Sequence, residues 1–172
     1  MGKILTVTLN PCIDKTITID GFVYGGLNRV QSVRTDAGGK GINASKVLKS
    51  FDADALCYTL DAGDAIKGYL EKEKIASTLG KATGEVRTNL KIVDTRTGIT
   101  TEVNEKGFSL STEECENIVA DIEALLLDSE ILVLAGSLPA GMGVDTYGKL
   151  IRIAKEKDVK VILDADGERL KQ

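Results

Sequence analysis

Four short apolar runs constrain this chain more than anything else in it: ILTVTL (4–9), ALCYTL (55–60), EILVLAG (130–136) and VKVILD (159–164). Near-continuous apolar strands of this length belong in a sheet covered on both faces, which in practice means a parallel one. Helical stripes separate them. Ala44, Val47, Leu48 and Phe51 recur at i, i+3, i+4 and i+7, and so do Tyr147, Leu150, Ile151 and Ala154. A further helix opens on Ser111 with Glu114 three residues on, a capping box, and carries Cys115, Ile118, Val119, Ile122 and Leu126 along one face. A shorter one, about 65–74, shows Ile66, Tyr69 and Leu70. The alternation predicts a doubly wound α/β fold, a mostly parallel sheet flanked by helices.

Two segments break that alternation. Residues 14–35 hold two alternating β patterns, and 86–103 read as a β-hairpin turning at Thr97-Gly98. Both are insertions, about 14–35 and 86–105, and their one-sided patterning predicts a small antiparallel sheet projecting from the main one. The chain then finishes on VKVILDADGERLKQ, a strand, a turn and the opening of a helix. That ending predicts a fragment, with exposed sheet surface and marginal stability.

Composition excludes several function classes. There is no histidine, so no imidazole base or ligand is available. A net charge of −4 without a basic, aromatic-interleaved stripe argues against nucleic acid, and a bound anion must be met by a few placed cations. No apolar run reaches the length of a membrane span. Cys12, Cys57 and Cys115 are widely spaced with no CxxC pair, so neither a disulfide framework nor a zinc site is indicated. With a first segment that reads directly as a strand, a cytoplasmic location is expected.

The chemistry-bearing stretch is DAGGKGINAS (36–45), glycines and a lysine running into a helix. Glycines permit close backbone approach, and a helix start presents free N–H groups and a positive dipole end. It is not a P-loop, because no Ser or Thr follows the lysine, and it is not a GxGxxG dinucleotide fingerprint. LNPCID (9–14) brings Asp14 to the end of the first strand, where α/β proteins place ligands. GGLNRV (25–30) and GEVRTN (84–89) carry Arg29 and Arg87 on the insertions, and two converging arginines would clamp a phosphate. Singly, each of these residues also reads as a turn aspartate or a solvated strand charge.

Together and in this order, LTVTLNPCIDKT, GGLNRV, DAGGKGIN, GEVRTN, TEVNEKG (101–107), LAGSLPAG (134–141) and VILDADGE (161–168) resemble the PfkB branch of the ribokinase-like carbohydrate kinases. The similarity lies with the phosphosugar branch, 1-phosphofructokinase and tagatose-6-phosphate kinase, and covers about half of such an enzyme. The resemblance implies a ribokinase-like core with a β lid formed by the two insertions. It implies substrate contacts from Asp14, Gly38, Gly39, Lys40 and Asn43. Arg29 and Arg87, with Asn89, would take the phosphate already on the sugar, and Ser137 would face the crevice. Asp164 is read either as a turn residue of DADG or as a carboxylate near the nucleotide phosphates or Mg²⁺.

The implied activity is transfer of the γ-phosphoryl group of ATP, with Mg²⁺, to a ketohexose phosphate, fructose 1-phosphate first and tagatose 6-phosphate second. A non-catalytic sugar-phosphate-binding module is the alternative. The family's GAGD motif, which supplies the general base, and most of the ATP pocket belong to a C-terminal half that these residues do not include, so the 172-residue chain is expected to be inactive. TLDAGDA (59–65) imitates GAGD but follows the second strand, where relatives place a glycine-rich loop, so it is not taken as a base. Pairing of two lids in a homodimer is the expected assembly, because the lid's strand edges are exposed.

Overall fold

Leu5, Val7 and Leu9, from the first apolar run, are fully buried, and the chain folds outward from them. The computed structural model describes residues 3–165; the turn and helix opening expected after Asp164 lie outside them. In chain order the elements are β1 (Lys3–Thr8), β2 (Cys12–Ile19), β3 (Ser32–Gly38), α1 (Lys40–Ser50), β4 (Ala55–Asp61), α2 (Ala65–Lys72), β5 (Ser77–Lys81), β6 (Arg87–Asp94) and β7 (Thr100–Asn104). They continue as α3 (Thr112–Leu125), a 3₁₀ turn (Leu126–Asp128), β8 (Ser129–Ala135), α4 (Thr146–Glu156) and β9 (Lys160–Asp164). Five strands form one parallel sheet in the order β5-β4-β1-β8-β9. This is the expected core.

The remaining strands form a second sheet, β3-β2-β6-β7. The two β patterns of 14–35 and the hairpin of 86–103 each form an antiparallel pair, but the pairs meet through parallel β2 and β6, so the lid is mixed rather than antiparallel throughout. β2 and β6 run side by side in register from Cys12–Arg87 to Ile19–Asp94. β5 is the strand that the sequence pattern does not announce. It is an edge strand in which only Leu79 is a large apolar residue.

Helix α1 packs differently from its apolar stripe. Val47 and Phe51 are exposed, at 56% and 76%, while Gly41, Ile42 and Ser45 face the sheet. A side chain at Gly41 would collide with the Val7 carbonyl and the Thr8 hydroxyl, and Ser45 Oγ lies 2.5 Å from Thr6 Oγ1. The helix therefore docks by close approach of small residues rather than by a large apolar ridge, which brings its first turn down to the carboxyl end of β1. The other helices follow their patterns. The capping box at Ser111 and Glu114 is formed, Ile118 and Ile122 are buried, and Tyr147, Leu150 and Ala154 anchor α4. No helix among the described residues is long and apolar enough to cross a membrane.

Candidate functional site

A cavity of about 500 Å³ opens where the carboxyl ends of β1 and β8, the first turn of α1 and the inner face of the lid converge. Strand geometry explains the lid's contribution. Residues two apart on a strand share a face, so Cys12 and Asp14 on β2, Arg87, Asn89 and Lys91 on β6, and Glu102 and Asn104 on β7 all line the cavity. Register aligns them: Asp14 pairs with Asn89, which pairs in turn with Asn104.

Asp14 sits at the centre. Its Oδ1 accepts from Asn89 Nδ2 at 3.2 Å and from the Cys12 thiol at 3.4 Å. Burial, and then the neighbouring Asp14 charge, push the Cys12 thiol up to about 12, so it stays a protonated donor. A side chain at Gly38 would collide with the Asp14 carboxylate and the Cys12 sulfur. Here glycine is required by close approach. Asp36 faces Asp14 directly across the β2–β3 pair, a like-charge juxtaposition that Arg34 offsets with its Nε 2.7 Å from Asp36 Oδ2.

The floor of the site is the helix mouth. Gly39, at φ 131, is the N-cap of α1 and makes no side-chain cap bond; the cap is supplied instead by Thr8, whose Oγ1 accepts from Ile42 N at 2.9 Å. Lys46 donates to Ala37 O at 2.6 Å and to Asn43 Oδ1 at 3.3 Å, so the amide nitrogen of Asn43 is the group left for a ligand. Lys40 reaches over the rim to Asp164, Nζ to Oδ1 2.9 Å. Ser137 follows the Gly136 turn after β8, and its Oγ accepts from Asn10 Nδ2 at 3.1 Å.

Asn10 joins core and lid. It is only 6% exposed, and its amide also donates to Lys106 O at 3.5 Å. Arg87 completes the junction, donating to Pro11 O at 3.4 Å, Glu105 O at 3.4 Å and Asn10 O at 3.2 Å. Two buried acceptors in the cavity wall, Asn10 Oδ1 and Asn89 Oδ1, have no protein partner. Both atoms are sealed from solvent, Asn10 Oδ1 against Gly107, so they mark tight packing of the wall rather than open ligand contacts.

The cavity brings together Asp14, Gly39, Lys40, Asn43, Arg87, Asn89 and Ser137 of the residues singled out from sequence, with Gly38 packed directly behind Asp14. Asp164 stands at the rim through Lys40. Arg29 does not join them. It is exposed in the 20–31 connection, beyond the Thr18–Ser32 end of the lid, whereas Arg87 pairs with Cys12 at the other end. Six residues of strand, about 20 Å, separate those two ends, so within one chain the two arginines do not converge. Sequence reasoning missed Thr8, Asn10, Cys12, Lys91, Glu102 and Asn104. Asn104 and Glu102 lie in TEVNEKG, and their alternation on a strand was the available signal.

TLDAGDA has a structural use. Asp61 accepts from the backbone N–H groups of Ala62, Ile66 and Lys67, tying the start of α2, and Asp64 is its N-cap at φ 61. Neither lines the cavity.

The sequence matches the pfkB family of carbohydrate kinases over residues 7–172. The chain belongs to that family. Among curated relatives of this pfkB-family chain, 1-phosphofructokinase of Bacillus subtilis is 36% identical over 170 residues, covering 97% of this chain and 55% of that protein. Tagatose-6-phosphate kinase of Staphylococcus epidermidis is 34% identical over 173 residues, covering 98% and 55%. Phosphofructokinase-2 of Escherichia coli, solved with fructose-6-phosphate, superposes with a TM-score of 0.89 at 26% identity, over 99% of this chain and 57% of that one. Ribokinase of Giardia lamblia, 17% identical with a TM-score of 0.76 over 95% of this chain and 54% of that one, shares the fold. The chain thus spans about 55% of the length of the curated relatives it matches.

Proposed function

We propose that this chain carries the sugar-phosphate site and lid of an ATP-dependent phosphosugar kinase of the cytoplasm, acting on a ketohexose phosphate, with fructose 1-phosphate as first choice and tagatose 6-phosphate as second. One observation carries the reading: Asp14, Asn43, Asn89 and Ser137 line a single cavity at the mouth of α1, beside cations from α1 and from the lid strand β6.

In this reading Asp14 accepts from two sugar hydroxyls, held in place by Asn89, Cys12 and the absence of a side chain at Gly38. Asn43, steered by Lys46, donates to a sugar oxygen, and Ser137 is fixed by Asn10. The start of α1 at Gly39 and Lys40 and the positive end of that helix favour an anion beside the reacting hydroxyl. Lys40 adds a charge there. The kinase reading calls for MgATP as phosphoryl donor, where a bound Mg²⁺ would neutralise charge on the transferred group. Mg²⁺ commonly takes one or two protein carboxylates together with phosphate oxygens. Asp164 fits as one such carboxylate at the end of β9, and the described residues hold no cluster of three or more metal ligands.

Val33 and Val103 on the lid strands, Leu27 and Val30 in the 20–31 connection and Ile99 in the β6–β7 turn are exposed. A second copy laid on the lid would cover them, and a role for Arg29 at the phosphate requires such a copy, since its own cavity lies at the far end of the lid.

Calorimetry of the chain with fructose 1-phosphate tests the reading. Saturable binding that Asp14→Asn abolishes is expected, and no binding in the millimolar range would refute it. The 172 residues contain no GAGD base, so a coupled assay with fructose 1-phosphate and MgATP is expected to give no turnover. Enzyme-like rates would contradict that part.

A further inference from the structure

Resting on that phosphosugar reading, we propose that Lys91, held off by Glu102 until ligand arrives, is the cation that makes the site select a phosphorylated over an unphosphorylated sugar. Among the described residues three cations line the cavity: Lys40, Arg87 and Lys91. Their freedom differs. The Arg87 guanidinium donates to three main-chain carbonyls that join β1 to the lid, which leaves two of its five N–H donors for a ligand. Lys40 is turned to the opposite rim by Asp164 at 2.9 Å.

Lys91 has a looser attachment. Its Nζ lies 3.5 Å from Glu102 Oε1, with the two side chains 42% and 50% exposed. An exposed pair of this kind is screened by solvent and holds weakly. A phosphate dianion outcompetes one carboxylate for an ammonium on a flexible stem, and Lys is suited to that as a mobile point charge.

Position supports the same role. Lys91 is one strand repeat beyond Asn89, pairs with Thr16, and shares its face with Asp14. A two-residue step is about 7 Å. With the sugar's hydroxyls at Asp14 and Asn89, Lys91 therefore stands one sugar's length outward, away from the helix mouth. That end suits an ester phosphate that takes no part in the reaction. Glu102 keeps Lys91 pointed into the cavity and keeps the lid face nearly neutral when no ligand is bound.

The test uses the 172-residue chain and two probes, fructose 1-phosphate by calorimetry and unphosphorylated fructose by NMR titration. Lys91→Met is expected to weaken fructose 1-phosphate at least tenfold and to leave fructose within twofold. Lys91→Arg is expected to stay within threefold of wild type, and Glu102→Gln to tighten fructose 1-phosphate two- to fivefold, a change in sign that misfolding cannot produce. Wild-type affinity in Lys91→Met, an equal loss for both sugars, or weaker binding in Glu102→Gln would overturn the assignment while leaving the phosphosugar reading intact. A wild-type chain that binds neither probe would overturn both.

Discussion

Lys40 Nζ and Asp164 Oδ1, 2.9 Å apart and 124 residues distant in sequence, close a bridge from the mouth of α1 to the end of β9. The pair is about half exposed on each side, so solvent screening leaves it worth little to stability. Its effect is on charge at the site. Asp164→Asn should shift the melting temperature by no more than about 4 °C. Removing the counter-ion should tighten fructose 1-phosphate severalfold at low salt, with the gain shrinking as ionic strength rises. Calorimetry at two salt concentrations checks both signs.

Gly38 is the residue whose change should separate binding from folding. A methyl group there meets the Asp14 carboxylate and the Cys12 sulfur, so Gly38→Ala must push Asp14 off its hydrogen bonds. At least a tenfold loss of sugar-phosphate affinity is expected. The cooperative melt should survive, because the parallel core is untouched.

Docking of α1 gives a contrast between its first turn and its C-cap. Gly41→Ala intrudes on the Val7 carbonyl and the Thr8 hydroxyl and is expected to cost about 1–3 kcal/mol, the usual size of an overpacking penalty. Phe51→Ser, at a position 76% exposed, should fall within about 0.5 kcal/mol of wild type. Urea denaturation of both variants measures the difference.

Acid should act on the lid hairpin and on the start of α3. Asp94 is penalised by burial, but hydrogen bonds from the Thr97 hydroxyl and from the backbone N–H groups of Arg96 and Gly21 win, holding it down at about 2. Glu114, bonded to the Ser111 and Thr83 backbone, is likewise held at about 2. Both folded values lie below the unfolded ones, so the stabilisation is complete above about pH 4.5 and is lost as pH falls towards 2. Asp94→Asn and Glu114→Gln should each flatten the fall in melting temperature over that range.

The parallel core was legible because runs such as ILTVTL leave a buried strand little alternative, and the Ser111–Glu114 box names its own helix start. β5 was not, since an edge strand with Leu79 as its one large apolar side chain carries no period. The α1 stripe misled for a physical reason. Val47 and Phe51 have the right spacing, but the first turn must approach the sheet closely and only Gly41 and Ser45 allow it. At the site, glycines and Asp14 stood out by chemistry. Lys91, Glu102 and Asn104 did not, because alternating polar residues on a strand look solvated until a second sheet is known to face them. Arg29 shows the converse limit: its residue type suited the role, and its position along the hairpin removed it from its own cavity.

Residue-resolved NMR of the chain titrated with fructose 1-phosphate tests the central claim most directly. The expected shifts gather on Asp14, Gly39, Asn43, Asn89 and Ser137, with one binding curve for all of them and loss of the pattern in Asp14→Asn. Shifts confined to other surfaces, or none at ligand concentrations of several millimolar, would contradict the assignment of this cavity to a sugar phosphate.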